Sequence, residues 1–157
     1  KYCVKHNYGG TENLSWIPGK VGAVPIQNIG AYGVEAQDII HKVEALEIQT
    51  GKKVIFNNQE CQFGYRDSIF KNEYKDQYII LSVIFELDQQ PQLITDYGSI
   101  KEQLDKYDHK DIQAVRDIII NIRKTKLPNP ADIGNTNPCS NYAGAQHKSG
   151  NPASLPS

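Results

Sequence analysis

Methionine is absent from all 157 residues, position 1 included, so the sequence reads as one that begins inside a longer gene product. Cysteine is scarce. Cys3, Cys61 and Cys139 are odd in number, far apart, and form no C-x-x-C pair, which excludes a disulfide framework or a zinc site read from spacing. Reduced thiols are expected. His6, His41, His109 and His147 are equally scattered, form no metal-binding arrangement, and imply no metal. An excess of one charge is also lacking: 17 Lys and Arg face 18 Asp and Glu, a formal net charge of -1, so no broad field draws the chain to nucleic acid or anionic lipid. No apolar run approaches the ~20 residues needed to cross a bilayer, and the amino end lacks the charged-then-apolar layout of a signal peptide. A small-molecule partner, no nucleic acid, no membrane and a cytoplasmic location are the expectations.

What is present is ordinary globular composition, 39% hydrophobic and 22% charged, in a length that suits one domain with a core. The densest pattern runs from Ser15 to Gly33, which holds four of twelve glycines and two of eight prolines among the apolar anchors Ile17, Val21, Val24, Ile26 and Ile29. Glycine permits positive φ and close approach of another group, and N–H groups in such turns can face a phosphate. Two readings follow, a phosphate-cradling loop and a buried double turn, and glycine content alone favours the turn. A nucleotide P-loop is excluded, because Leu14 stands where its first glycine belongs and Val21 follows Lys20. A dinucleotide fingerprint is excluded by glycines at 19, 22, 30 and 33.

Along the chain, Tyr2 and Val4 alternate before Tyr8-Gly9-Gly10, which predicts a strand end running into a loop by Asn13. One short helical turn is expected between Tyr32 and His41. Alternation on both sides of Thr50-Gly51 predicts a β-hairpin over Val43 to Phe56. Residues 60–71 read as a structured loop. The nearly continuous apolar run Tyr78 to Leu87 predicts a central strand buried on both faces. Gln89-Gln90-Pro91 breaks it, Leu93 to Gly98 reads as an extended piece ending in a turn, and Ser99 caps a short helix through Leu104. Ile112, Val115, Ile118, Ile119 and Ile122 form one stripe of a helix capped by Asp111 and ended near Lys126 by Leu127-Pro128-Asn129-Pro130. From Asn135 to Ser157 the composition is Asn, Pro, Ser, Gly and Ala, which predicts a disordered tail.

Among single residues Arg66 stands out, because an arginine between an aromatic and an acid in an apolar-flanked loop can hold a carboxylate or phosphate bidentately. A surface pair with Asp67 or a glutamate is the plainer alternative. Tyr97 before Gly98, and Lys126 after the amphipathic helix, are phosphate-contact candidates by the same logic.

Three runs of sequence change that weighting. Asn13-Leu14-Ser15 through Gly33, Cys61-Gln62-Phe63-Gly64-Tyr65-Arg66-Asp67-Ser68-Ile69-Phe70-Lys71, and Arg123-Lys124-Thr125-Lys126-Leu127-Pro128 resemble, in order and separation, three motifs of the UDP-N-acetylenolpyruvoylglucosamine reductase family. The resemblance covers about residues 1–135, and the Tyr97-Gly98 segment resembles the longer family type, in which a tyrosine loop closes over substrate. It implies an α+β fold, a mainly antiparallel sheet with flanking helices, as in the second subdomain of the FAD-binding fold. It divides the chain into 1–126, the second part of that domain, 127–135, the start of a substrate domain, and an unmatched tail at 136–157.

The resemblance implies that Ile17, Pro18, Gly19, Gly22, Ala23, Ile26, Ile29, Gly30 and Ile80 contact FAD. Tyr65 and Arg66 match the family's active-site pair, and Tyr97 and Lys126 its contacts to the diphosphate and carboxylate side of a UDP-sugar. In the family NADPH reduces the flavin, hydride passes to the enolpyruvyl group, and the enolate is protonated; Arg66 takes the catalytic role of stabilising that enolate. The family's N-terminal subdomain is missing before Lys1, its proton-donating serine has no match in Thr136-Asn137-Pro138-Cys139-Ser140-Asn141, and its C-terminal glutamate is missing too. The abrupt loss of resemblance resembles a shifted frame or a truncation. A piece inactive alone is therefore expected, whose partner is the remainder of its own chain; the alternative class is a non-catalytic flavin- or nucleotide-binding module.

Overall fold

Alternating apolar residues lay down the sheet. The apolar side chains Val43 and Ala45 on β3 (Ile40–Glu47) and Val54 and Phe56 on β4 (Lys53–Asn57) share one face, with Val43 opposite Phe56 and Ala45 opposite Val54 in an antiparallel hairpin. The chain reverses at Gly51, whose φ of +67° is left-handed, and the Glu47 carbonyl accepts from the Gly51 N–H at 2.8 Å. β5 (Tyr78–Phe85) pairs antiparallel with the other edge of β3, giving the order β4-β3-β5. A separate two-stranded ribbon, β1 (Gly30–Ala31) and β2 (Val34–Glu35), precedes this sheet. These elements come from a computed structural model that describes residues 1–127.

One face of the sheet closes over Ala36, Ile40, Val43, Ala45, Phe56, Cys61, Ile69 and Phe70. Phe56 meets Phe70 and Tyr78 edge-on at 5.2 Å each, the arrangement that aligns ring edge with ring face. The segment 60–71, expected as a structured loop, contributes Cys61, Ile69 and Phe70 to this core. A second cluster joins α2 (Ile100–Leu104) to α3 (Ile112–Lys126) through Ile100, Leu104, Val115, Ile118 and Ile119. The stripe and its cap hold as expected: the Asp111 carboxylate accepts from the Ala114 N–H at 2.8 Å. The architecture is α+β with antiparallel sheets, and no helix among the described residues is long and apolar enough to cross a membrane.

Three expectations differ from the structure. The amino end is not a strand but a single turn, α1 (Tyr2–Lys5), with the rings of Tyr2 and His6 4.4 Å apart one turn away; alternation over two residues cannot separate the two periods. An extended pairing begins only at Gly9, which bridges Asp88. β5 is an edge strand, not the centre, and one of its faces is open among the described residues, Ile79 being 52% and Leu81 47% exposed. A continuous apolar run records that both faces suit burial and not what covers them. Ser99 heads α2 without capping it, since its hydroxyl accepts from the Gln103 side chain at 2.8 Å and takes no backbone N–H. The one short helical turn expected between Tyr32 and His41 is present as the 3-10 turn Ala36–Asp38, closed by reciprocal bonds between Glu35 and Asp38. Leu93 to Gly98, expected as an extended piece ending in a turn, joins no named strand and does reach a turn at Gly98. The expected tail at 136–157 and all of 127–135 except Leu127 lie outside the described residues.

Replacing Asp111 by Ala is expected to cost about 1 kcal/mol, read as a lowered urea midpoint at unchanged slope. Cys61 is fully buried, and that burial, with Glu60 beside it, pushes its thiol up to about 12. Folding therefore favours the neutral thiol, a contribution complete below pH ~9 and lost as pH rises from there toward 12. In native protein at pH 8, iodoacetamide is expected to leave Cys61 unmodified and to alkylate it on unfolding, as peptide mass mapping will read.

Candidate functional site

A buried asparagine gathers the site. Asn28 is fully buried at φ +42°; its amide donates to Glu35 Oε2 and to the Gly64 carbonyl, each at 2.9 Å, and its oxygen accepts from the Gln37 N–H at 2.9 Å. Three separate segments are tied at one side chain. Such a group must satisfy its bonds once buried, so the segments are held in register.

Arg66 projects from the last of these segments. Its φ of +54° is unusual for a non-glycine residue and belongs to a tight turn in which Gly64 and Asp67 exchange backbone hydrogen bonds at 3.1 Å. The turn is pinned behind by the Ser68 hydroxyl donating to the Ile26 carbonyl at 2.6 Å and by the Lys71 ammonium donating to the Arg66 carbonyl at 2.8 Å. The guanidinium then lies along β1: Nη2 donates to the Gly30 carbonyl at 2.6 Å, and Nη1 to Glu35 Oε1 at 3.2 Å and to the Asn28 carbonyl at 3.4 Å. It also stands 5.0 Å from the centre of the Tyr65 ring, whose own side chain is exposed. The Arg66–Asp67 surface pair is not formed; the glutamate pair is, with Glu35.

Tyr97 arrives by a different route. The buried Asn13 amide donates to the carbonyls of Tyr32 at 2.8 Å and Ile94 at 3.0 Å, fastening the 93–98 segment to the β1–β2 turn. Tyr32 and Tyr97 then meet edge to face at 5.8 Å. The last turn of α3 supplies Arg123 and Lys126, three residues apart and so on one side of the helix, with Arg123 Nε donating to the Trp16 carbonyl at 3.1 Å.

These side chains line one cleft of about 600 Å³. Tyr65, Arg66, Tyr97 and Lys126, singled out from three distant stretches of sequence, come together there with Gly30. Arg66, Arg123 and Lys126 oppose the single carboxylate of Glu35, so the cleft is cationic and suits an anionic ligand. Asn28, Glu35 and Arg123 were not singled out from the sequence. Arg123 carried a usable signal, its spacing of three from Lys126; the asparagine and glutamate carried none without the fold.

The other expected residues divide. Ile17, Pro18, Gly19 and Ile29 line a cleft of about 360 Å³, and Gly22, Ile26 and Ile80 line one of about 620 Å³; Lys20 borders both. Ala23 is 1% exposed, in the core beneath the turn Val21–Ala23. Both clefts have apolar walls, and at Gly22 a Cβ would meet only the Ile80 carbonyl oxygen, at 3.8 Å. Such walls suit an apolar or aromatic group, and Lys20 at the border of both clefts is a cation that could meet an anionic one. Among the described residues no cluster of His, Cys, Asp or Glu could hold a metal ion.

Gly30 is the opposite case, since a Cβ there would stand 2.7 Å from Arg66 Nη1 and 2.9 Å from Glu35 Cγ. Gly30→Ala is expected to cost about 1–3 kcal/mol by overpacking, and Gly22→Ala less than about 0.5 kcal/mol, compared in parallel urea unfolding curves.

No family model matches the chain. Individual proteins do. It is 54% identical over 136 residues to the UDP-N-acetylenolpyruvoylglucosamine reductase of Amoebophilus asiaticus, covering 85% of this chain and 40% of that protein. The reductases of the same name from Bdellovibrio bacteriovorus and Flavobacterium johnsoniae are 48% and 46% identical over 86% of the chain, and 40% and 41% of their own lengths are covered. In fold, the crystal structure of the Thermus caldophilus reductase superposes with a TM-score of 0.59 at 23% identity, over 82% of this chain and 39% of that one. Over about 85% of its length the chain is similar to curated UDP-N-acetylenolpyruvoylglucosamine reductases, and it spans about 40% of the length of those relatives.

Proposed function

We propose that these residues form one wall of an FAD site and the enolpyruvyl-binding cleft of an NADPH-dependent reductase. Its substrate is UDP-N-acetylglucosamine enolpyruvate and its product UDP-N-acetylmuramate, a cytoplasmic precursor of peptidoglycan. On this reading residues 1–126 are the second part of the FAD-binding domain, and catalysis needs groups beyond them. The observation that carries the reading is the convergence of Tyr65, Arg66, Tyr97 and Lys126 on one cationic cleft.

Each side chain has a distinct task. Ile17, Pro18, Gly19, Gly22, Ile26, Ile29 and Ile80 are the surfaces that would hold FAD, with Gly30 at the edge of the substrate cleft and Ala23 behind the wall. Bound FAD, reduced by NADPH, supplies the hydride. Arg66 holds the enolpyruvyl carboxylate and stabilises negative charge as it grows there; a donor already fixed by Glu35 and Gly30 needs no reorganisation when the charge appears. Lys126 and Arg123 bind the diphosphate, and Tyr97, braced by Tyr32, covers it. Tyr65 gives the Arg66 cation a cation–π contact at 5.0 Å.

Calorimetric titration tests this on the 157-residue chain. UDP-N-acetylglucosamine enolpyruvate is expected to bind, and Arg66→Ala and Lys126→Ala each to weaken it roughly tenfold, about 1.4 kcal/mol. The same chain is expected to give no substrate-dependent NADPH oxidation. FAD binding without any UDP-sugar binding would instead support the non-catalytic flavin-binding module.

A further inference from the structure

Glu35 lies in the cationic cleft, where a carboxylate ought to repel the anion that the cleft is built to take. Its bonding explains its presence. One oxygen, Oε1, accepts from Arg66 Nη1 at 3.2 Å; the other, Oε2, accepts from Asn28 Nδ2 at 2.9 Å and from Gln37 Nε2 at 3.0 Å. The carboxylate is therefore fixed on its own side before it meets the arginine. Guanidinium carries five N–H donors in a rigid plane. The Asn28 carbonyl and Glu35 take Nη1, and the Gly30 carbonyl takes one proton of Nη2. Among the described residues Nε donates no hydrogen bond and Nη2 donates one, to the Gly30 carbonyl, and Nε and Nη2 form the edge whose parallel N–H groups grip a carboxylate. Gly30 permits the arrangement, since any Cβ there would strike both Nη1 and Glu35.

From this geometry we infer that Glu35 is the positioning residue for Arg66: it holds the Nη1 corner so that the Nε/Nη2 edge is the one offered to a carboxylate ligand. The inference rests on the cleft's proposed ligand, an enolpyruvyl UDP-sugar. Its cost is partial neutralisation of the arginine, and that cost supplies a test by sign. Were Glu35 only a nearby negative charge, removing it would tighten the binding of an anion. As the positioning group, its removal weakens binding.

Glu35→Ala and Glu35→Gln are titrated with UDP-N-acetylglucosamine enolpyruvate alongside Asp38→Ala. The aspartate variant removes the other half of the Glu35–Asp38 cap without touching Arg66, and so reports any purely structural effect. In the glutamine variant, an amide oxygen kept on Arg66 turns its NH₂ toward two donors, Asn28 Nδ2 and Gln37 Nε2, so the hold on Arg66 is lost there too. Both Glu35 variants are expected to bind about tenfold more weakly than wild type, and Asp38→Ala within twofold of it. Side-chain ¹⁵N spectra of Arg66 give the second reading: hindered rotation of the guanidinium in wild type and Asp38→Ala, and averaged Nη signals in both Glu35 variants. Tighter or unchanged binding in the Glu35 variants, or hindered rotation that survives Glu35→Ala, overturns the inference. A wild-type chain that shows hindered rotation lost in Glu35→Ala yet binds no substrate upholds the positioning and overturns the proposed function.

Discussion

The site depends on one close approach, that of the Arg66 guanidinium to the backbone of β1. Nη2 lies 2.6 Å from the Gly30 carbonyl oxygen, and a single added carbon at residue 30 would occupy the space of Nη1. Only glycine leaves that space. The turn Tyr32-Gly33 carries β1 into β2 and returns the chain so that Glu35 faces the same guanidinium, with Asn28 closing the loop from below. Ribbon, loop and arginine therefore form as a unit, and the left-handed backbone at Arg66 persists because bonds on every side over-determine it.

Two further constraints turn that unit into a cleft. Asn13 ties the 93–98 segment to Tyr32, and α3, packed through Val115, Ile118 and Ile119, presents Arg123 and Lys126 at its last turn. Each is a fastening between stretches far apart in sequence. Side chains that enter from a loop, a coil segment and a helix end thus share one ligand-sized space.

The sequence carried the local rules well. The Thr50-Gly51 hairpin, the Asp111 cap and the apolar stripe of α3 follow from short-range physics and stand where it puts them. Motif resemblance led to Arg66, Tyr65, Tyr97 and Lys126 but could not say that they meet, because their meeting depends on Asn28 and Asn13, buried asparagines with no periodic pattern to betray them. Glu35 was invisible for the same reason. The misplacement of β5 has another cause: Ile79 and Leu81 have the composition of a strand covered on both sides, while among the described residues only one side is covered. Conversely, the nine expected FAD contacts are spread over three clefts and a buried alanine, a division that no spacing in Ser15 to Gly33 could have indicated.

The claim at the centre is that the cationic cleft, and not the glycine-lined clefts beside it, receives the UDP-sugar. A crystal structure of the chain with UDP-N-acetylglucosamine enolpyruvate tests it most directly. The account predicts the enolpyruvyl carboxylate bound by the Nε and Nη2 protons of Arg66 at about 2.8 Å, with the diphosphate at Lys126 and Arg123. A sugar nucleotide seated instead between Ile17 and Ile29, with Arg66 still closed on Glu35 and no ligand near it, would contradict it.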